Sequence, residues 1–300
     1  YLCFTFCYTE MACAIPRAGG AFVYGTRALG RQMGFLAGIA QVIEFVFAPP
    51  AIAAAIGAYF NLFLPDVPAM HIAIVAYVLF TALNIYGVKA AAQFELFITV
   101  LAVGELLLFC GITAPSVTWA NLSMNALPNG MSGVFACIPF ALWFFLAIEG
   151  VANVAEETVT PQRNILIGFG SAIITLVALA VFTFICAAGV AGWEAIVYPT
   201  PGAAPSDSPL PLALSHVVGD NSMLYHMLIF IGLFGLVASF HGIILAAGRA
   251  VLEMGRVGYM SPILGRVHAR FRTPANALVA HMVVGIIALH WLLISSWVMW

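Results

Sequence analysis

The sequence predicts an all-α membrane protein, on three observations: an extreme apolar composition, long apolar runs of bilayer-spanning length, and a one-sided placement of positive charge. Of 300 residues, 63% are hydrophobic and 7% charged, with a mean hydropathy of +1.07. Soluble domains carry about 25% charged residues. A formal charge of -2, from ten basic and twelve acidic residues, lacks the excess needed to neutralise phosphates and excludes nucleic-acid partners. The six cysteines, at 3, 7, 13, 110, 137 and 186, lie in apolar runs without a CxxC pair. They read as small buried hydrophobes, so neither metal nor cofactor is expected.

Crossing a hydrocarbon core of about 30 Å takes roughly 20 helical residues. Eight runs are candidates, at 1–16, 34–60, 69–88, 94–114, 131–155, 164–192, 223–247 and 275–297. They are apolar throughout and dotted with Gly and Ala, as packed helices are, whereas barrel strands alternate with period two. The first run starts at Tyr1 and the last approaches Trp300, so the chain reads as one transmembrane domain over 1–300 cut from a longer bundle.

The connections test this division independently, because basic residues stay on the cytoplasmic side. Arg17, Arg27 and Arg31 follow the first run, Lys89 the third, Arg163 the fifth, and Arg249, Arg256, Arg266, Arg270 and Arg272 the seventh. The alternate connections, near 61–68, 115–130 and 193–222, hold Asp66, Glu194, Asp207 and Asp220 but no Lys or Arg. They face outward, and the first helix runs from outside to inside. Prolines at 199, 201, 205, 209 and 211 make 193–222 an external loop, with a short helix near 212–218. Segment 249–272 is expected to be either a helix on the inner membrane surface or a solvated basic connector. Trp291, Trp297 and Trp300 suit an interfacial belt.

An ionisable residue at a helix centre costs about 2.5–3.5 kcal/mol on insertion scales and therefore marks function by default. Glu44, Glu105, Glu149 and His241 fall near the middle of four different runs. Glu10 and Glu95 fall nearer the cytoplasmic ends, where snorkelling is the plainer reading. In Pro139-Phe-Ala-Leu-Trp143-Phe144-Phe-Leu-Ala147-Ile148-Glu149-Gly150, the proline removes one helix bond and Glu149-Gly150 marks a weak spot. Either the helix unwinds there and exposes backbone groups, or it stays whole with Glu149 protonated and hydrogen-bonded. Glu44 precedes Pro49-Pro50, which loosen their own helix. Trp143, Phe144, Phe145 and Phe240 are candidates for the wall of an amine pocket, through ring faces, or for plain packing. His241 reads as a proton relay, a ligand contact or a neutral core residue.

Three stretches resemble the amino acid, polyamine and organocation transporters. Tyr8-Thr-Glu-Met-Ala-Cys-Ala-Ile-Pro16-Arg-Ala-Gly19-Gly20-Ala-Phe-Val-Tyr24 is similar to the end of the family's second helix and the loop after it. Glu149-Gly150-Val-Ala-Asn-Val-Ala-Glu156-Glu157, with Pro161-Gln-Arg163-Asn164, resembles its sixth helix and exit. Arg249-Ala-Val-Leu-Glu-Met-Gly255-Arg256-Val-Gly-Tyr-Met-Ser-Pro262, with Thr273-Pro274, resembles the passage from helix eight to helix nine. Phe94-Glu-Leu-Phe-Ile-Thr with Glu105, and Ser239-Phe-His-Gly-Ile-Ile-Leu-Ala-Ala-Gly-Arg249, are most similar to the bacterial ethanolamine permeases of that family.

The resemblance implies an inverted-repeat, LeuT-like core with broken helices one and six around a midplane site, of which this chain carries helices two to nine. It implies a multi-pass protein of the bacterial cytoplasmic membrane that moves a small organic amine, ethanolamine above all, by alternating access, with an amino-acid or polyamine permease as the alternative. Substrate contacts are then expected from Glu149, Ala147, Ile148, Gly150, Glu44, Trp143, Phe144, Phe240 and His241. Proton exchange is expected from Glu149, Glu44, Glu105 or His241, with sodium as the rival ion. The lysine that some proton-coupled relatives carry on helix five has no counterpart between Gln93 and Thr113. An intramembrane hydrolase is disfavoured because Ser239 and His241 point to different sides of one helix, and a channel because the charges gather at one depth.

Overall fold

Every buried backbone amide in a bilayer must find its partner within the protein, and long α-helices satisfy that requirement. The computed structural model describes residues 2–298 other than 62, 63, 65, 201, 204, 207 and 208, and side chains other than those of 231 and 292–298. The predicted interfacial side chains of Trp297 and Trp300, and the loop residues Pro201 and Asp207, lie outside it.

Among the described residues the regular structure is helical. In order these are α1 (Leu2–Ala14), α2 (Gly20–Leu29), α3 (Arg31–Asn61), α4 (Ala69–Tyr86), α5 (Val88–Thr113), α6 (Trp119–Ser123), α7 (Gly130–Ala136), α8 (Ile138–Trp143), α9 (Gly150–Asn153), α10 (Pro161–Ala191), α11 (Trp193–Val197), α12 (Pro209–Val218), α13 (Met223–Arg256) and α14 (Ala275–Val298). Helices α3, α4, α5, α10 and α13 are long and apolar enough to cross a bilayer. α1, α7 with α8, and α14 occupy the other predicted runs.

Two expectations are corrected, and one that the sequence left open is decided. The arginine-bearing connection after the first run contains a helix, α2, which packs along α3. Gly34 and Gly38 form the seam: a Cβ on Gly38 would stand 2.9 Å from Phe22 Cβ, the small-residue contact that lets helix backbones approach. Segment 249–272 is neither a surface helix nor wholly a solvated connector. α13 continues to Arg256 with Arg249 buried, and the chain then runs in turns in which Arg266, Arg270 and Arg272 are exposed. The run 131–155 is divided into α7, α8 and α9.

The chain forms two compact units. The first comprises 1–98, 147–173 and 236–300, the second 99–146 and 174–235. In the first, Tyr8, Ala12, Tyr24, Ala152, Ala155, Ile165 and Phe169 build a buried cluster. In the second, Phe109, Cys186, Ala187, Ala188, Ile196, Ala213, Leu214 and Leu228 do so. Within the second unit, polar bonds tie the connection 115–130 to the end of α10 and to the start of the connection 193–222. Asn121 Nδ2 donates to the Gly189 and Val190 carbonyls at 2.9 and 2.7 Å, and Asn125 Nδ2 donates to Glu194 at 2.7 Å. The helix expected near 212–218 is α12.

Pro49 and Pro50 stay inside α3 without ending it. Pro49 has no N–H, so the carbonyl four residues earlier, on Phe45, loses its helical donor. His281 of α14 supplies one: its Nε2 donates to Phe45 O at 2.9 Å, with the imidazole 2% exposed. The freed carbonyl thus serves helix packing. Replacing His281 by Phe leaves that carbonyl orphaned and is expected to cost about 1–3 kcal/mol. The check is thermal unfolding in detergent, where His281→Gln should recover part of the loss.

Candidate functional site

Pro139 interrupts the helical run first, separating α7 from α8 at Cys137. After Trp143 the chain tightens into i to i−3 bonds, with Phe144, Phe145 and Leu146 amides donating to Ala141, Leu142 and Trp143 carbonyls at 3.3, 3.1 and 3.3 Å. It then turns at Ala147, whose φ of 62° is left-handed. That conformation costs a residue with a Cβ about 1–2 kcal/mol. A new helical turn, α9, starts at Gly150 and leads into a 3-10 turn at Ala155–Glu157. Of the two readings the sequence left open, the helix is broken.

The break is held by a side chain from another helix. Ala147 N donates to Glu44 Oε1 at 3.3 Å. Glu44 lies thirteen residues into the 31-residue α3, ~20 Å along its axis from the start at 1.5 Å per residue. Glu149, two residues past the turn and 6% exposed, brings its carboxyl within hydrogen-bonding reach of Glu44. Acidic side chains gathered this closely attract a cation. Tyr8 of α1, buried and edge-on to Tyr24 at 5.7 Å, sets its phenol within electrostatic reach of both. Gly150 completes the close approach: a Cβ there would meet Ala246 Cβ at 3.3 Å.

The structure therefore brings together Glu44, Ala147 and Glu149, flanked by half-buried Ile148 and Gly150. It places the other candidates differently. Phe240 is fully buried, edge-on to Tyr77 at 4.8 Å and to Phe80 at 5.9 Å, a packing position. Trp143 and Phe144 are 56% and 63% exposed. Glu105 lies in the second unit, half-buried beside Gly232. His241 commits Nδ1 to Glu95 at 2.7 Å, so Glu95 is paired inside the bundle where snorkelling was expected.

Sequence reasoning missed Tyr8, Gln41 and Asn153. Gln41 sits one turn before Glu44 on α3 and is 4% exposed. Asn153 is fully buried, with neither amide atom hydrogen-bonded among the described residues. Gly20, with φ of 43°, runs between them: a Cβ there would lie 2.9 Å from Asn153 Oδ1 and 3.0 Å from Gln41 Nε2. The legible signal was a polar residue one turn from each glutamate, at i−3 of Glu44 and i+4 of Glu149. Beyond Asn153 the segment is latched by charge. Arg249, 1% exposed, reaches both Glu157 oxygens at 3.3 Å, and Arg256 bridges Glu156 and Glu253, each at 3.2 Å.

A helix broken in the run of a membrane span, held by a carboxylate from a neighbouring helix, defines a class: membrane proteins built around an interrupted helix. The chain belongs to the amino acid permease family, whose pattern it matches over residues 1–299. It is 30% identical over 295 residues to an uncharacterized transporter of Rhizobium meliloti, covering 93% of this chain and 60% of that one. A methylthioribose transporter of Bacillus subtilis is 26% identical over 292 residues, with 90% and 60% covered. Cationic amino acid transporter 1 of Arabidopsis thaliana is 29% identical over 296 residues, with 91% and 47% covered. The chain thus spans 47 to 60% of the length of these relatives.

The left-handed turn makes a sharp prediction. Ala147→Gly removes the Cβ penalty and should leave the fold as stable or more so, whereas Ala147→Val should destabilise it by about 1–3 kcal/mol. Melting temperatures of the two variants in one detergent decide it: equal values would mean that the turn carries no strain.

Proposed function

We propose that the protein is a secondary transporter moving a small organic amine, ethanolamine in the first place, by alternating access around the broken helix. The observation that carries this reading is the gathering of two acidic side chains at the broken helix, Glu44 bonded to the Ala147 amide and buried Glu149 two residues on. A protonated amine placed between them pairs with both and cancels one of the two negative charges. A substrate carboxylate in the same place meets two like charges in a setting where water screens little. An amine without a carboxylate suits that field, and its hydroxyl finds backbone groups at the interrupted turns from Phe144 to Gly150.

The alternative within the family is an amino-acid or polyamine permease. The name of the Arabidopsis relative favours cationic cargo, and that of the Bacillus relative shows that amines are not the rule among similar proteins. Substrate-contact residues are proposed as Glu149, Glu44, Ala147, Ile148 and Gly150, with Trp143 and Phe144 retained because they precede the break by a few residues. Phe240 and His241 stand behind this set as packing and proton-handling residues. We take the whole chain as part of one transporter domain in a bacterial cytoplasmic membrane. Coupling to protons fits a site rich in carboxyl groups, with sodium as the rival ion.

Uptake of labelled ethanolamine into proteoliposomes, competed with amino acids and diamines, tests the assignment. Ethanolamine should compete best, and Glu149→Gln should lower uptake at least about tenfold, the effect of losing a little over 1 kcal/mol in a buried charge contact. Wild-type uptake in Glu149→Gln would remove the carboxyl pair from the substrate site. A diamine that outcompetes ethanolamine would move the reading to polyamines.

A further inference from the structure

A second buried acid–base pair lies outside that site. His241, fully buried in α13, places Nδ1 2.7 Å from Glu95 Oε2 of α5. The imidazole is flanked by Phe94 at 5.2 Å and by Phe80 of α4 at 5.9 Å between ring centroids. Its Nε2 is buried and has no hydrogen-bond partner among the described residues. Glu95 is the partly exposed member, its side chain 30% exposed. Room for its carboxylate is made by Gly242, where a Cβ would stand 3.2 Å from Glu95 Oε1.

Among the described residues, Glu95 is the ionisable group in contact with the imidazole. α4 presents Phe80 to it, Tyr77 turns to Phe240, and His281 is engaged with the Phe45 carbonyl. A purely structural hydrogen bond would need neither an exposed carboxylate nor an unmatched ring nitrogen. Both are what a proton carrier needs: an entry point, and an acceptor whose state is not pinned by a fixed partner.

We propose that Glu95 and His241 form the proton-binding site of the transport cycle, distinct from the Glu44–Glu149 amine site; this rests on the transport reading above. Without the extra proton, a neutral imidazole donates Nδ1–H to the Glu95 carboxylate, and the pair carries one negative charge. Taken up on Glu95, one proton leaves a carboxylic acid that still accepts the Nδ1–H bond of a neutral imidazole, and the pair has no net charge. A paired, neutral arrangement is the one that a bundle can move through a low-dielectric interior. Loss of the proton to the other side restores the starting state, so each cycle carries one proton across. The pair is thus a coupling element that does not itself touch the amine.

The test uses the whole permease in proteoliposomes with labelled ethanolamine. Under an imposed pH gradient the wild type should accumulate ethanolamine. Glu95→Gln and His241→Gln should lose that accumulation at least about tenfold, within the usual range of coupling free energies, while keeping ethanolamine counterflow exchange, which needs no net proton movement and shows that both variants fold. Glu149→Gln should lose both activities. Gradient-driven accumulation at the wild-type level in Glu95→Gln and His241→Gln would overturn the proposal. If the wild type takes up no ethanolamine, the substrate reading fails separately, and the pair is decided by nitrogen-15 histidine NMR. The resonance absent from His241→Gln must then titrate differently in Glu95→Gln, and an unchanged titration overturns the site.

Discussion

The bond from the Ala147 amide to the Glu44 carboxylate is the contact on which the architecture of the site depends. A helix interrupted in a bilayer leaves amides and carbonyls that lipid cannot satisfy, each at a cost of several kcal/mol. Here one such amide is bonded by a side chain from the middle of α3, so the break and the acidic character of its surroundings have one cause. Glu44 needs a donor away from water, and Ala147 needs an acceptor. The left-handed turn persists because both needs are met by one bond. Glu149 then follows two residues on, buried and within electrostatic reach of Glu44.

Around this point the first unit repeats one device: a polar group released in one helix is bonded from another. Pro49 frees the Phe45 carbonyl, and His281 takes it. Arg249, buried in α13, binds Glu157, and Arg256 holds Glu156. Thr273 Oγ1 donates to the Ile85 carbonyl at 2.8 Å near the end of α4. These bonds place cost on any arrangement that separates the partners, because a charge left alone in the interior loses far more than the pair contributes when formed.

Much of the fold was legible because bilayer crossing imposes length and composition together. The expected runs 69–88, 164–192 and 275–297 differ from α4, α10 and α14 by at most three residues at an end. α5 begins earlier and α13 ends later than hydropathy suggested, because a helix continues into polar surroundings where its last turns are no longer apolar. α2 was read as connector for a related reason: its arginine and glycines mask ten residues packed against α3. At the site, Glu44, Glu149 and the break could be read from charge and from Pro139, since each is costly in an apolar run. The partner of His241 could not be. Glu95 lies 146 positions away, and no local pattern tells which helices face each other. Phe240, read from the sequence as either pocket wall or plain packing, sits edge-on to Tyr77 and Phe80.

The His281 bond to Phe45 also has a mechanical meaning. A carbonyl can only accept, so the hydrogen of that imidazole must reside on Nε2, and its tautomer is locked for as long as α3 and α14 remain side by side. Those two helices, with α4 wedged against both, form a stiff frame into which the Glu44 carboxyl is built. Any tilting of that frame displaces the acidic anchor bodily and draws the Ala147 turn with it, much as a tent pole carries its guy rope.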